Sequence, residues 1–136
     1  MPDHIRCVNP PGPRPSGYSN AVIAEGKVVA LAGQVAFDES FRIVGLGDLV
    51  AQFEKALDNL GAALRAAGAD YGDVVKITLY VADADDYRLK QKALGAAYRA
   101  RFGSHYPAMT LVQVARFFEE GALVEVDALA VVASGG

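Results

Sequence analysis

The chain has 136 residues, enough for one compact domain and not for two. With 52% apolar and 21% charged residues it has the composition of a packed globular protein, which excludes an intrinsically disordered chain. The formal charge of −3 is mixed along the sequence, with no basic tract to meet nucleic acid and no Lys/Arg block to rest on a membrane surface.

The first residues, 1–15, hold His4 and Arg6 but no apolar core of signal-peptide length. The longest apolar run, near the C-terminus, is broken by Glu125 and Asp127 and is unable to span a membrane. Cys7 is the only cysteine, so an intrachain disulfide is impossible and a reducing, cytoplasmic setting is expected.

In chain order, Pro10, Pro11, Pro13 and Pro15 with Gly12 and Gly17 predict an irregular arm, and the whole of residues 1–17 is assigned to it within a single domain of residues 1–136. Ala21–Ala24 and Val28–Ala32 flank Glu25-Gly26-Lys27 and predict a hairpin turning at Gly26. A loop over 37–47 follows, with a short strand expected at Phe41–Val44.

Leu49, Phe53, Leu57, Leu60 and Leu64 recur at three- and four-residue steps, which predicts a helix from about Asp48 to Ala67 with one buried face. Asp48 is placed to cap it and Gly68 to end it. Gly61 lies inside that helix at a penalty of about 1 kcal/mol against alanine. A close approach to a neighbouring backbone is the expected reason.

Val74–Val81 is rich in β-branched and aromatic residues and predicts a central strand. A second helix opens at Asp83 or Asp85, buries Tyr87, Leu94, Ala97 and Tyr98, and ends near Gly103. Two strands, Thr110–Phe117 and Leu123–Val132, close the chain. Two helices beside one mixed sheet make a two-layer α+β fold.

The last strand puts apolar residues on both faces. Val124, Val126, Ala128, Ala130 and Val132 take one side; Leu123, Glu125, Asp127, Leu129 and Val131 take the other. The second side is too apolar for open water and too acidic for a plain core. Association of subunits would bury its apolar part and leave a polar pocket at the joint. Periodicity leaves the number of subunits open.

Several chemistries fail on inventory. Two histidines and one cysteine show no metal-ligand spacing, so neither a metal nor another cofactor is expected. There is no Gly-rich loop followed by Lys-Ser/Thr to cradle phosphate, and no serine sits in a nucleophile elbow.

The segment Tyr106-Pro107-Ala108-Met109-Thr110-Leu111-Val112-Gln113-Val114-Ala115-Arg116 resembles the signature region of the RidA/YjgF family. Further matching pieces occur in the same order and spacing from Gly17 to Val131. They include Gly17-Tyr18, Ala32-Gly33-Gln34, Leu57-Asp58-Asn59-Leu60, Asp73-Val74-Val75-Lys76 and Val124-Glu125-Val126. The resemblance implies a chorismate-mutase-like fold, a homotrimer, and small-molecule clefts between neighbouring subunits. It also implies hydrolysis of reactive 2-imino or 2-enamino acids to 2-keto acids and ammonia.

By the same resemblance, Glu125 falls on the glutamate that positions or activates water, and Tyr18 on a tyrosine lining the cleft. Gly33 is kept, Ala32 replaces a common serine, and Gln91 stands where the family has an asparagine. Leu111 falls on a residue that is often cysteine. Met109 falls on the arginine that grips the substrate carboxylate, and a thioether cannot replace a charged fork of donors. Either another cation substitutes, with Arg14, Arg42, His105 and Arg116 as candidates, or the ligand is less anionic.

Each assignment has a plainer rival: a mid-strand Glu125 facing water, a loop His105 in solvent, a surface Arg116. The resulting expectation is a hydrolase or deaminase acting on a small imine- or enamine-type metabolite at a subunit interface. The alternatives are a non-catalytic metabolite-binding or chaperone-like trimer, and an endoribonuclease.

Overall fold

A computed structural model describes residues 3–135. The elements run β1 (Ile5–Val8), β2 (Ala21–Ala24), β3 (Lys27–Gln34), α1 (Leu49–Ala66), a 3₁₀ turn (Tyr71–Asp73) and β4 (Val74–Val81). They continue through α2 (Ala84–Leu89), α3 (Gln91–Phe102), β5 (Ala108–Gln113) and β6 (Val124–Val132). Four strands form one mixed sheet in the order β3-β6-β4-β5, and β1 and β2 form a separate antiparallel pair. β6 is antiparallel to both neighbours, while β4 and β5 run parallel across the crossover through α2 and α3. This is the expected two-layer α+β fold.

Helix α1 follows its sequence signals closely. The Asp48 side chain accepts from the Ala51 N–H at 3.0 Å, and Leu49, Phe53, Ala56, Leu57, Leu60 and Leu64 are buried. Gly68, at φ +80°, ends the turn. Under α1 and α3 lie Val74, Ile77, Leu79 and Val81 of β4 and Val124, Val126, Ala128 and Ala130 of β6. Gly61 does make a close approach, but to a side chain and not a backbone. A Cβ there would meet the Tyr71 hydroxyl, which donates to the Leu57 carbonyl at 2.7 Å.

Five further expectations are corrected. The turn at Gly26 joins β2 to β3, yet the two strands do not pair: β2 pairs with β1 and β3 with β6. Gly26 presses so closely on the Val132 carbonyl that a Cβ would collide with it, which draws β3 onto the end of β6. Residues 1–17 are therefore not irregular throughout, because Ile5–Val8 supplies the partner of β2. Phe41–Val44 is no strand: Phe41 sits at φ +58°, and a single bridge, Phe37 to Ile43, is all that forms. Asp38 organises that loop by accepting from the Ser40 and Arg42 N–H groups.

The second helix is two helices, broken at Lys90. Asp83 caps the first by accepting from the Asp85 and Asp86 N–H groups. The strand predicted over 110–117 ends at Gln113, and residues 114–123 form a loop. Fully buried Gln52 anchors that loop. Its amide donates to the Gly121 carbonyl at 3.0 Å, and its oxygen accepts from the Leu123 N–H at 2.8 Å.

Candidate functional site

The sheet has one face under helices and one without. Strand alternation puts Thr78 and Tyr80 of β4 beside Asp127 and Glu125 of β6 on the uncovered face, in the register Thr78–Asp127 and Tyr80–Glu125. A depression of about 220 Å³ opens there. Glu125, Asp127, Tyr80 and Gly33 line one part of it; Val114, Arg116, Phe117 and Phe118 of the 114–123 loop line the rest. The expected division of β6 into a dry side and an acidic, part-apolar side is therefore present, with Leu129 42% exposed on the latter.

Ala32 and Gly33 form a β-bulge. Leu31 faces Ala128 and Gln34 faces Val126, which leaves two residues of β3 opposite Asp127 alone. The bulge brings the Gly33 backbone against Glu125 so closely that a Cβ would overlap Oε2 of the glutamate. A side chain at position 33 would displace the Glu125 carboxyl, so glycine here gives that carboxyl its room and is not set by a left-handed backbone.

Glu125 is half-buried, and its carboxyl holds its proton to higher pH than an ordinary glutamate. Burial is the main cause, followed by the negative charges of Asp127 and Glu119. The Tyr80 hydroxyl donates to Asp127 Oδ2 at 3.0 Å, and that bond raises the tyrosine pKa. A carboxyl with raised proton affinity, beside a hydrogen-bonded acid and open to solvent, can move a proton to or from a bound water. Among the described residues, no group of three or more His, Cys, Asp and Glu side chains could hold a metal ion.

The other predicted residues lie elsewhere in the chain. Met109 and Leu111 are register partners of Ile77 and Leu79, whose side chains face the helices, so both point to the opposite side of the sheet from Glu125. Met109 packs against the core. Tyr18 precedes Ser19, whose N–H donates to the Pro107 carbonyl at 3.0 Å, so it sits at the start of β5. Arg14 and Tyr18 share a second depression there with Tyr106. Gln91 is the exposed first residue of α3.

His105 is not in solvent. It is 8% exposed, with Nε2 2.6 Å from the Val74 carbonyl at the far end of β4 from Tyr80. Arg42 is on the loop around Asp38. Within one chain, then, Glu125, Gly33, Ala32 and Arg116 come together, while Tyr18 and Arg14 form a separate group near the root of the Met109 strand. Tyr80, Asp127 and Phe118 are cavity residues that the functional reading of the sequence did not select. The polar alternation Lys76, Thr78, Tyr80 along β4 was the signal for the first.

The sequence profile of the endoribonuclease L-PSP family matches residues 12–132. The chain belongs to this family. Its relatives include the RutC family protein PH0854 of Pyrococcus horikoshii, 32% identical over 87% of this chain and 90% of that protein. A second is the 2-iminobutanoate/2-iminopropanoate deaminase of Mus musculus, 36% identical over 84% of this chain and 80% of that one.

Among solved structures, the Rid-family protein YyfB of Yersinia pestis superposes with a TM-score of 0.82 at 32% identity, covering 95% of this chain and 99% of its own. RidA from an Antarctic Psychrobacter superposes with a TM-score of 0.69 at 29% identity, over 96% and 100%. The expected RidA/YjgF membership and fold are borne out, and the family includes imine deaminases. In this chain Glu125 and Gly33 are in direct contact, and Met109 packs against the core on the other face of the sheet.

Proposed function

We infer that this chain is a hydrolytic deaminase of small imine- or enamine-type metabolites, working as a homotrimer in which each cavity is completed by a neighbouring copy. The observation that carries the reading is the Glu125 carboxyl, seated against the Gly33 bulge on the uncovered sheet face with raised proton affinity. The named imine deaminases among its relatives give the chemical class. The division of the remaining groups supports completion by a neighbour: Tyr18 and Met109 lie at the sheet's other edge and other face, where a second copy could present them to Glu125.

In the chemistry so implied, Glu125 takes a proton from water as its oxygen attacks the imine carbon. The tetrahedral carbinolamine that forms then receives that proton on nitrogen. Ammonia leaves as the carbinolamine hydroxyl gives up its proton, and a ketone remains. A single general base of this kind contributes roughly 10²- to 10⁴-fold.

The reading is tested by generating 2-iminobutanoate and 2-iminopropanoate in situ and following loss of the imine, with light scattering on the same sample. Accelerated hydrolysis and a mass three times the 14.3 kDa chain are expected. Hydrolysis at the uncatalysed rate, with cleavage of a single-stranded RNA by the same preparation, would replace the deaminase with the endoribonuclease that the family's name describes.

A further inference from the structure

We propose that Arg116 is the anion-binding residue of the Glu125 cavity, and that the cavity selects zwitterions: a carboxylate at Arg116 and an iminium at the Asp127 and Glu125 side. This rests on the hydrolase reading for the chemistry of the ligand, but its geometry is independent of turnover.

Arg116 lies on the loop that forms one wall of the cavity, and Glu125 and Asp127 lie on the strand that forms another. Arg65, Arg88 and Arg101 each pair with an acid in their own neighbourhood. Arg116 shares a cavity with two carboxylates, yet among the described residues it forms no ion pair with either. Its planar fork of donors is therefore available to a ligand. The loop that carries it is held at both ends: Val114 N–H donates to the Val81 carbonyl at 3.0 Å, and Gln52 bonds Gly121 and Leu123.

The other candidate residues are placed badly for this task. Met109 packs into the core on the far face. His105 is committed to the Val74 carbonyl. Lys76, on the same face as Glu125, is tied to Thr110 and faces Leu129, two same-face steps down the strand. Arg14 belongs to the second depression.

Selectivity follows from charge. A simple anion in the cavity meets Asp127 and Glu125, and a simple cation meets Arg116. A molecule with both charges separated by a few atoms satisfies both walls. Phe118, 99% exposed at the rim, offers an apolar wall to the carbon chain of such a ligand.

The test uses a stable zwitterionic analogue of the substrate, so that it does not depend on catalysis. Wild type, Arg116→Gln, Arg116→Lys and Arg14→Gln are titrated calorimetrically with 2-aminobutanoate, which carries a carboxylate and an ammonium group, and with 2-aminobutanamide, which keeps only the ammonium group, after equal melting temperatures establish equal folding. The expected result is a loss of tenfold or more in affinity for the acid in Arg116→Gln, the scale of a charge-assisted hydrogen bond. Arg116→Lys should recover part of it, and Arg14→Gln should match wild type. Affinity for the amide should not fall in any variant.

Equal binding of the acid by Arg116→Gln, an equal loss for acid and amide, a loss that follows Arg14, or no binding of the acid by wild type would each overturn the assignment. Wild type that binds the acid through Arg116 but turns over no imine would instead remove the hydrolase reading and leave the anion site standing.

Discussion

Ile77, Leu79, Val124, Val126 and Ala128 are at most 4% exposed beneath the helices. The residues that alternate with them, Thr78, Tyr80, Glu125, Asp127 and Leu129, lie on the face that carries no helix. The strands, their twist and their backbone hydrogen bonds are common to both faces; only the period of two separates them. Packing sets the residue types of the covered face, which is why Val, Ile, Leu and Ala fill it. The uncovered face is free of that demand, and there the chain keeps two carboxyls, a tyrosine hydroxyl and a bulged glycine in one place. Stability should therefore reside on one face and chemistry on the other, and substitutions can set the two apart.

The largest effect on stability belongs to the covered side. Leu57→Ala removes a fully buried side chain and should lower unfolding free energy by about 2–5 kcal/mol in a denaturant melt. Leu129→Ala on the uncovered face should change the melt of the separated chain by about 0.5 kcal/mol or less. Comparable losses at both positions would erase the distinction.

Gly33→Ala sharpens the same comparison. Its Cβ overlaps the Glu125 carboxyl on the uncovered face, and the nearest atoms it meets all belong to that side chain. Turnover should fall by roughly tenfold or more, as expected when a reacting group is displaced by about 1 Å. The melting temperature should hardly move, and wild-type activity in this variant would show that Glu125 need not sit against the bulge.

The smallest effect is on stability against pH. Glu125 binds its proton more tightly folded than unfolded, because burial, Asp127 and Glu119 all oppose its charge. Between the unfolded and folded pKa values the folded state carries the extra proton, so this group's contribution falls as pH rises through that window. Glu125→Gln should then melt slightly higher than wild type at pH 7–8 and equally at pH 4. A variant less stable at pH 7 would mean that the carboxylate makes a favourable contact in the folded chain.

Much of this division was legible in the sequence because it depends on local period. The three- and four-residue steps from Leu49 to Leu64 located α1, and the alternation from Val124 to Val132 separated Glu125 and Asp127 from the core. What was not legible depends on partners distant in sequence. Ile5–Val8 reads as part of a proline-rich arm until Ala21–Ala24 is seen beside it. The break at Lys90 has neither glycine nor proline to announce it. His105 looks like a loop residue because its acceptor, Val74, lies 31 positions away. Tyr80 stood within a predicted strand, but its role depends on Asp127 across the sheet, 47 positions on.

The central claim is that the uncovered face works through Glu125, and one substitution tests it most directly. Glu125→Gln keeps the side-chain volume and the contact with Gly33 while removing the base. Single-turnover hydrolysis of 2-iminobutanoate should slow by roughly 10²-fold or more, with assembly mass and circular dichroism spectrum unchanged. A variant that hydrolyses the imine at the wild-type rate would contradict the account.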